Sequence, residues 1–129
     1  MPHVDDLEYA RKGSGRPLVL VWAAPEPELF DALATRFDVF AFTAAGEEAA
    51  GPLKLALERL RVERPLLVGL GAGADAACAV AAKRIPRGVV LVSGPRSVSV
   101  PLLVLSPAEA SLAGRAADRI AAFDAPLEG

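Results

Sequence analysis

The sequence predicts an α/β fold, a three-layer α/β/α sandwich around a mostly parallel, open β-sheet. Short apolar runs alternate along the chain with segments of helical periodicity, the order expected when crossover helices join the strands of one sheet. The runs are apolar throughout, as is typical of parallel strands buried on both faces. The 129 residues and 53% hydrophobic content fit a single domain with a substantial core. We expect residues 1–6 and 124–129 to be loose tails.

Six segments are predicted as strands. The first, residues 7–11, alternates apolar and polar positions like an edge strand and precedes a glycine-rich turn. The other five are apolar or rich in β-forming residues, namely residues 18–22, 37–42, 66–68, 89–92 and 101–105. The last two are separated by a polar loop at residues 93–100, which is short for the crossover that parallel neighbours need.

Four segments are predicted as helices. Residues 26–36 place apolar side chains at helical spacing, and acidic residues stand near the start. A second helix begins at Pro52, because proline suits the first position of a helix. The third covers residues 74–85 and the fourth residues 111–123, so a helix lies between most pairs of successive strands.

Charge and composition exclude several classes of partner. The 14 basic and 16 acidic residues give a net charge of −2 without a basic block, so we expect neither nucleic acid nor a membrane surface as a partner. The sequence has no leader-like segment and no apolar run long enough to span a bilayer. Cys78 is the single cysteine and cannot form an internal disulfide, which fits a cytoplasmic location. We expect no cofactor and no metal site.

The central segment, residues 65–82, reads as a buried strand, a glycine turn and a helix of small residues. Gly69, Gly71 and Gly73 allow a turn that is too sharp for side chains. Asp75 stands in the first turn of the helix and Lys83 near its end, the charge order that the helix dipole favours. A strand therefore enters a helix through a tight elbow, and Gly71 lies at the middle of the glycine pattern.

In this order the chain resembles the α/β-hydrolase family from residue 7 to about residue 123. The opening LEYARKGSGRPLVLVW is similar to the family's hairpin and first central strand, and ERPLLVGLGAGADAACAVAAK to its strand, nucleophile elbow and helix. The segments RFDVFAF, GVVLVSGP and PLLVLSPAEA follow the other central strands. The resemblance implies a truncated α/β-hydrolase-like fold without a lid domain, since only residues 93–100 stand where the lid would be.

The resemblance also implies that the catalytic residues are missing. The family needs a serine in G-x-S-x-G, and Gly71 stands at that position. Ala110 matches the position of the acid, and no histidine matches the family's third triad member, because the only one is His3. We therefore expect an inactive domain that binds a small molecule or an anion, or serves as an interaction module. The ligand-binding candidates are Trp22, Ala23, Gly71, Ala72, Ser93 and Arg96.

Two other functions stay open at this point. One is a hydrolase with residual or non-standard activity that uses Ser93, Ser97 or Glu109. The other is a dinucleotide site, because residues 69–74 satisfy G-x-G-x-x-A between a strand and a helix. Independently of function, the strand at 101–105 leaves the sheet with an open edge, so we expect a homodimer.

Overall fold

The computed structural model describes residues 3–4, 7–22, 26–44, 47–62, 64–71, 73–83, 86, 88–92, 102–105 and 113–127. Within these residues the strands are β1 (His3–Val4), β2 (Leu7–Lys12), β3 (Pro17–Trp22), β4 (Asp38–Thr43), β5 (Leu66–Leu70), β6 (Gly88–Val92) and β7 (Leu102–Leu105). The α-helices are α1 (Pro27–Ala34), α2 (Ala50–Arg59), α3 (Gly73–Lys83) and α4 (Ala113–Asp124), and a 3₁₀ turn at Glu47–Ala49 leads into α2.

The strands form one sheet in the order β1-β2-β4-β3-β5-β6-β7. The pairs from β4 to β7 are parallel, whereas β1 and β2 are antiparallel to their neighbours. The Arg11 guanidinium on β2 donates to both carboxylate oxygens of Asp38 on β4, at 3.0 and 2.9 Å, and this hydrogen bonding raises the pKa of Arg11. The predicted mostly parallel, open sheet is confirmed.

The helices cover both faces of this sheet. Leu18, Leu20 and Trp22 of β3 belong to a buried cluster that includes residues of α1 and α4, whereas Val19 and Val21 belong to a second cluster with α2 and α3. Because successive side chains of a strand point to opposite faces, every position of a strand covered in this way is buried. This arrangement explains the continuous apolar runs and confirms the three-layer sandwich. No lid domain occurs within the described part of the chain.

The pairing of β6 with β7 answers the question raised by their short connection. Val89 pairs with Leu102 and Val92 with Leu105 in parallel register. The link from 93 to 101 can span about 30 Å when extended. The five-residue β6 is only about 16 Å long. The link is therefore long enough for a parallel return. Residues 93–100, predicted as a loop, lie outside the described residues.

Three local expectations need correction. His3–Val4 is not part of a loose tail, because it pairs with β2 through His3 with Glu8 and Val4 with Leu7. The C-terminal segment is also bonded to the rest of the fold as far as residue 127, since the Arg16 guanidinium donates to the carbonyl of Leu127 at 2.6 Å.

The third correction concerns the start of α2, which is at Ala50 instead of Pro52. The preceding 3₁₀ turn leads the chain into the helix early. Pro52 still lies in the first turn, where its missing N–H costs no hydrogen bond.

Candidate functional site

The elbow after β5 is the feature that positions the candidate site. β5 ends at Leu70 and α3 begins at Gly73, so only residues 71 and 72 connect them. Gly71 has φ +56°, and the N–H of Ala74 donates to its carbonyl oxygen at 3.1 Å. The predicted strand, tight turn and helix are confirmed, with the left-handed backbone at the middle of the glycine pattern.

The glycines of this elbow differ in the space around them. A Cβ atom on Gly69 would lie 2.7 Å from the Cα of Ala74, and one on Gly73 would overlap the carbonyl oxygen of Val21. A Cβ atom on Gly71 would meet no atom within 4 Å. Packing therefore requires glycine on both sides of the elbow. At Gly71, which is the exposed apex of the elbow, the surrounding atoms leave room for a side chain, but glycine has none.

Five residues lie at one level at the carboxyl ends of the parallel strands. Trp22 pairs with both Thr43 and Leu70, Leu70 pairs with Val92, and Val92 pairs with Leu105. We call these residues the edge row. Open α/β sheets bind ligands outside this end of their strands, and Gly71 directly follows Leu70 there. The edge row contains no charged residue, so its chemistry is apolar except at Trp22 and Thr43.

Trp22 is a buried aromatic residue at this edge of the sheet. Its side chain is buried, with 3% exposure, and its ring meets Phe30 of α1 edge-on at a centroid distance of 5.8 Å. The indole N–H donates to Thr43 Oγ1 at 3.3 Å. Trp22 is therefore an edge-row residue whose side chain belongs to the core, and the polar atom of its ring already has a partner.

Thr43 is the residue of this edge that sequence reasoning missed. It ends β4 and is half-buried beside Trp22. The available signal was a polar residue that closes the apolar segment FDVFAF at the end of a strand where ligands bind. That signal is weak without the pairing of β3 with β4, which places Thr43 next to Trp22.

The structure brings together two of the predicted site residues, Trp22 and Gly71, through the pairing of β3 with β5. The other candidates, as well as the acid position, lie outside the described residues and stay predictions: Ala23, Ala72, Ser93, Arg96, Ser97, Glu109 and Ala110. The single histidine of the chain, His3, is in β1, four strand positions from β5. Four interstrand spacings amount to about 19 Å.

Among the described residues, no three His, Cys, Asp or Glu side chains come together as a metal site would require. None of the helices within the described ranges is both long and apolar enough to cross a membrane. Cys78 of α3 is half-buried and not in a disulfide.

Comparison with known proteins identifies the fold. No protein-family model matches the sequence, and no curated protein matches it. Among solved structures, a serine-to-glycine mutant of the N-acyl homoserine lactonase AidH, complexed with N-hexanoyl homoserine lactone, matches with a TM-score of 0.60 and 16% identity over 69% of this chain. The epoxide hydrolase CorEH matches with a TM-score of 0.59 and 19% identity over 72% of this chain. A thermophilic esterase from Thermogutta terrifontis matches with a TM-score of 0.55 and 22% identity over 88% of this chain.

These matches show an α/β-hydrolase-like fold, which confirms the resemblance as far as the fold is concerned. The chain spans less than half of those proteins, namely 42%, 43% and 47% of their lengths. Fold likeness at such identities carries no activity with it. A function for this chain has therefore to be argued from its own residues.

Proposed function

We propose that this chain is a catalytically inactive protein of α/β-hydrolase-like fold that binds a small, neutral carbonyl compound above Gly71. The observation that carries the proposal is the elbow itself. Gly71 has the left-handed backbone of an elbow apex and open space where a side chain would stand. The shape of a nucleophile elbow is thus kept while the group that would attack a substrate is missing.

The chemistry of the residues supports inactivity. Covalent catalysis of acyl transfer needs a hydroxyl or thiol at the apex and a base within hydrogen-bond reach of it. Gly71 offers no such group, and His3 is about four interstrand spacings away. Removing even one member of a catalytic triad lowers the rate by several orders of magnitude. Backbone donors alone would leave only a small residual effect.

The edge row supports binding of a neutral ligand. Trp22, Leu70 and Val92 make the core below Gly71 apolar, and no charge stands among the five edge-row residues to attract an anion. Apolar walls with few polar groups are typical of small-molecule sites. The matching lactonase mutant, in which a glycine replaces a serine, is complexed with an N-acyl lactone. This makes N-hexanoyl homoserine lactone a suitable probe.

Binding can be measured through Trp22, the only tryptophan of the chain. We expect N-hexanoyl homoserine lactone to change its fluorescence in a saturable way. Gly71→Leu should abolish the change, because the new side chain would fill the space above the elbow. Gly114→Leu is the matched control, since a Cβ atom at Gly114 also meets nothing within 4 Å but lies in α4. A wild-type protein that does not respond, or a response unaffected by Gly71→Leu, would contradict the proposal.

The dinucleotide alternative has no comparable support. Packing against α3 and β3 already accounts for Gly69 and Gly73, so their presence does not require a pyrophosphate. The antiparallel β2 beside β4 and the hydrolase-like neighbours also favour the first proposal.

A further inference from the structure

The Thr43 hydroxyl has a hydrogen atom to donate at the edge row. A threonine hydroxyl accepts through its lone pairs and donates through its one hydrogen, whereas an indole N–H only donates. The bond from Trp22 Nε1 therefore occupies a lone pair of Thr43 Oγ1 and leaves the O–H. Among the described residues, no acceptor for this hydrogen is found, and Thr43 is half-buried rather than freely solvated.

The position of Thr43 relative to the elbow follows from the strand register. Trp22 of β3 pairs with Thr43 on one side and with Leu70 on the other, so the two residues lie at the same level, two interstrand spacings apart. This separation is about 10 Å. Between them lies the buried ring of Trp22. A compound placed above Gly71 would thus have to extend over about two interstrand spacings along the edge row to reach the Thr43 hydroxyl.

The sequence alternation places Thr43 on the correct face for this contact. Val39 and Ala41 of β4 belong to the same buried cluster as Leu20, Trp22 and Leu70, and Thr43 continues their alternation. Among the edge-row side chains, its hydroxyl is the one group with a hydrogen for which the described residues supply no acceptor. In an apolar setting such a donor is more effective than it would be in water.

From this arrangement we infer that Thr43 is the polar anchor of the site, donating to the carbonyl oxygen of the bound compound, and that Trp22 holds the hydroxyl in that orientation. The inference rests on the proposed function and adds a specificity determinant to it. It selects ligands with a hydrogen-bond acceptor about two interstrand spacings from the part that lies above Gly71. No covalent step is involved.

The test compares three threonine variants by calorimetric titration with N-hexanoyl homoserine lactone. Thr43→Val keeps the shape and removes the hydroxyl, and we expect it to weaken binding about ten-fold, the factor of one neutral hydrogen bond. Thr43→Ser should restore affinity to within about two-fold, because it restores the donor. Thr35→Val is the matched control, since Thr35 is the other threonine of the chain and its hydroxyl bonds to the carbonyl of Ala32 in α1.

The outcomes separate this inference from the function on which it rests. Wild-type affinity in Thr43→Val, or equal weakening in Thr43→Ser, would overturn the role of Thr43 while binding at the elbow stands. Absence of lactone binding to the wild-type protein would overturn both. Weakening confined to Thr43→Val supports the inference, with thermal unfolding of each variant used to verify that it is folded.

Discussion

At the elbow between β5 and α3, neighbouring glycines have different structural roles. Gly69 and Gly73 let backbones approach closely, the first against α3 and the second against Val21 of β3. Gly71 instead carries the left-handed conformation at an exposed position with open space around it. An alanine at each position should therefore have a different cost, which makes the elbow a direct test of the local geometry.

We predict that Gly73→Ala lowers the free energy of unfolding by roughly 3 kcal/mol, because its Cβ atom would overlap the Val21 carbonyl and force the backbones apart. Gly71→Ala should cost only about 1 kcal/mol, the strain of a left-handed alanine. Urea denaturation of the two variants measures the difference. Equal costs would mean that the close approach of α3 to β3 is not as described.

At the candidate site, the sequence predicts the special position of Gly71 but not the burial of Trp22 or its hydrogen bond to Thr43. Gly71 was identifiable because its motif is local, five consecutive residues between a strand and a helix. The burial of Trp22 and its bond to Thr43 were not, because they depend on which strands are neighbours: the two residues are far apart in sequence and meet only through the register of β3 and β4.

Among the elements, α2 ends in a capping arrangement that normally contains glycine. The N–H of Arg61 donates to the Glu58 carbonyl at 3.2 Å and the N–H of Val62 to the Leu57 carbonyl at 2.9 Å. These are the two bonds of a Schellman motif, and Val62 and Leu57 share a buried cluster, as often accompanies that motif. Arg61 has φ +58° at the position where glycine is favoured.

We predict that Arg61→Gly stabilises the protein by about 0.5–1 kcal/mol, because glycine removes the strain of the left-handed conformation at a small cost in chain entropy. Arg59→Gly is the matched control. It makes the same change two residues earlier, at the last residue of α2, and should destabilise by up to about 1 kcal/mol. Thermal unfolding gives the sign of each effect, and a loss of stability in Arg61→Gly would contradict the capping assignment.

The end of α4 shows why the second tail was not predicted. Asp124 is buried and pairs with Arg16 at 3.2 Å, and Arg16 also reaches the carbonyl of Leu127. Arg16 comes from the glycine-rich turn before β3, more than 100 residues earlier in the chain. No local pattern in the sequence announces such a contact, because a polar C-terminal segment is ordinarily solvated.

At the scale of the whole molecule, β7 is the outermost strand on one side of the sheet. Within the described residues its outer edge has no partner strand, and Val104 is 38% exposed, whereas every residue of β6 is buried. An exposed apolar edge strand readily pairs with another chain. We therefore keep the homodimer as a proposal, with β7 of two copies side by side about a two-fold axis.

The dimer can be tested with the two exposed large hydrophobic residues found in the described ranges. Val104→Lys should abolish self-association, because a lysine at the edge opposes pairing of strands. Leu55→Lys is the matched control, as Leu55 is 50% exposed on α2, which packs on α3 and β2. Analytical ultracentrifugation at micromolar concentration compares them, and a wild-type monomer or an equal effect of both lysines would contradict the dimer.

The fold was largely predictable because its signals are local. Apolar or β-rich runs marked five of the strands, an alternating pattern marked β2, and the alternation of strands with helices indicated the parallel sheet. The two-residue β1 was missed, since a strand this short has no pattern of its own and forms only because β2 offers an edge. Long-range contacts, rather than local propensities, determine β1, the attachment of the C-terminal segment to Arg16 and the hydrogen bond between Trp22 and Thr43.

The most direct test of the central claim, an elbow that binds a carbonyl compound without cleaving it, is the rate at which N-hexanoyl homoserine lactone opens in the presence of excess protein. We predict a rate no faster than in buffer alone, under conditions where Trp22 fluorescence reports the lactone as bound. Ring opening that exceeds the buffer rate and disappears in Gly71→Leu would show that the elbow is catalytic, and would contradict the proposed function.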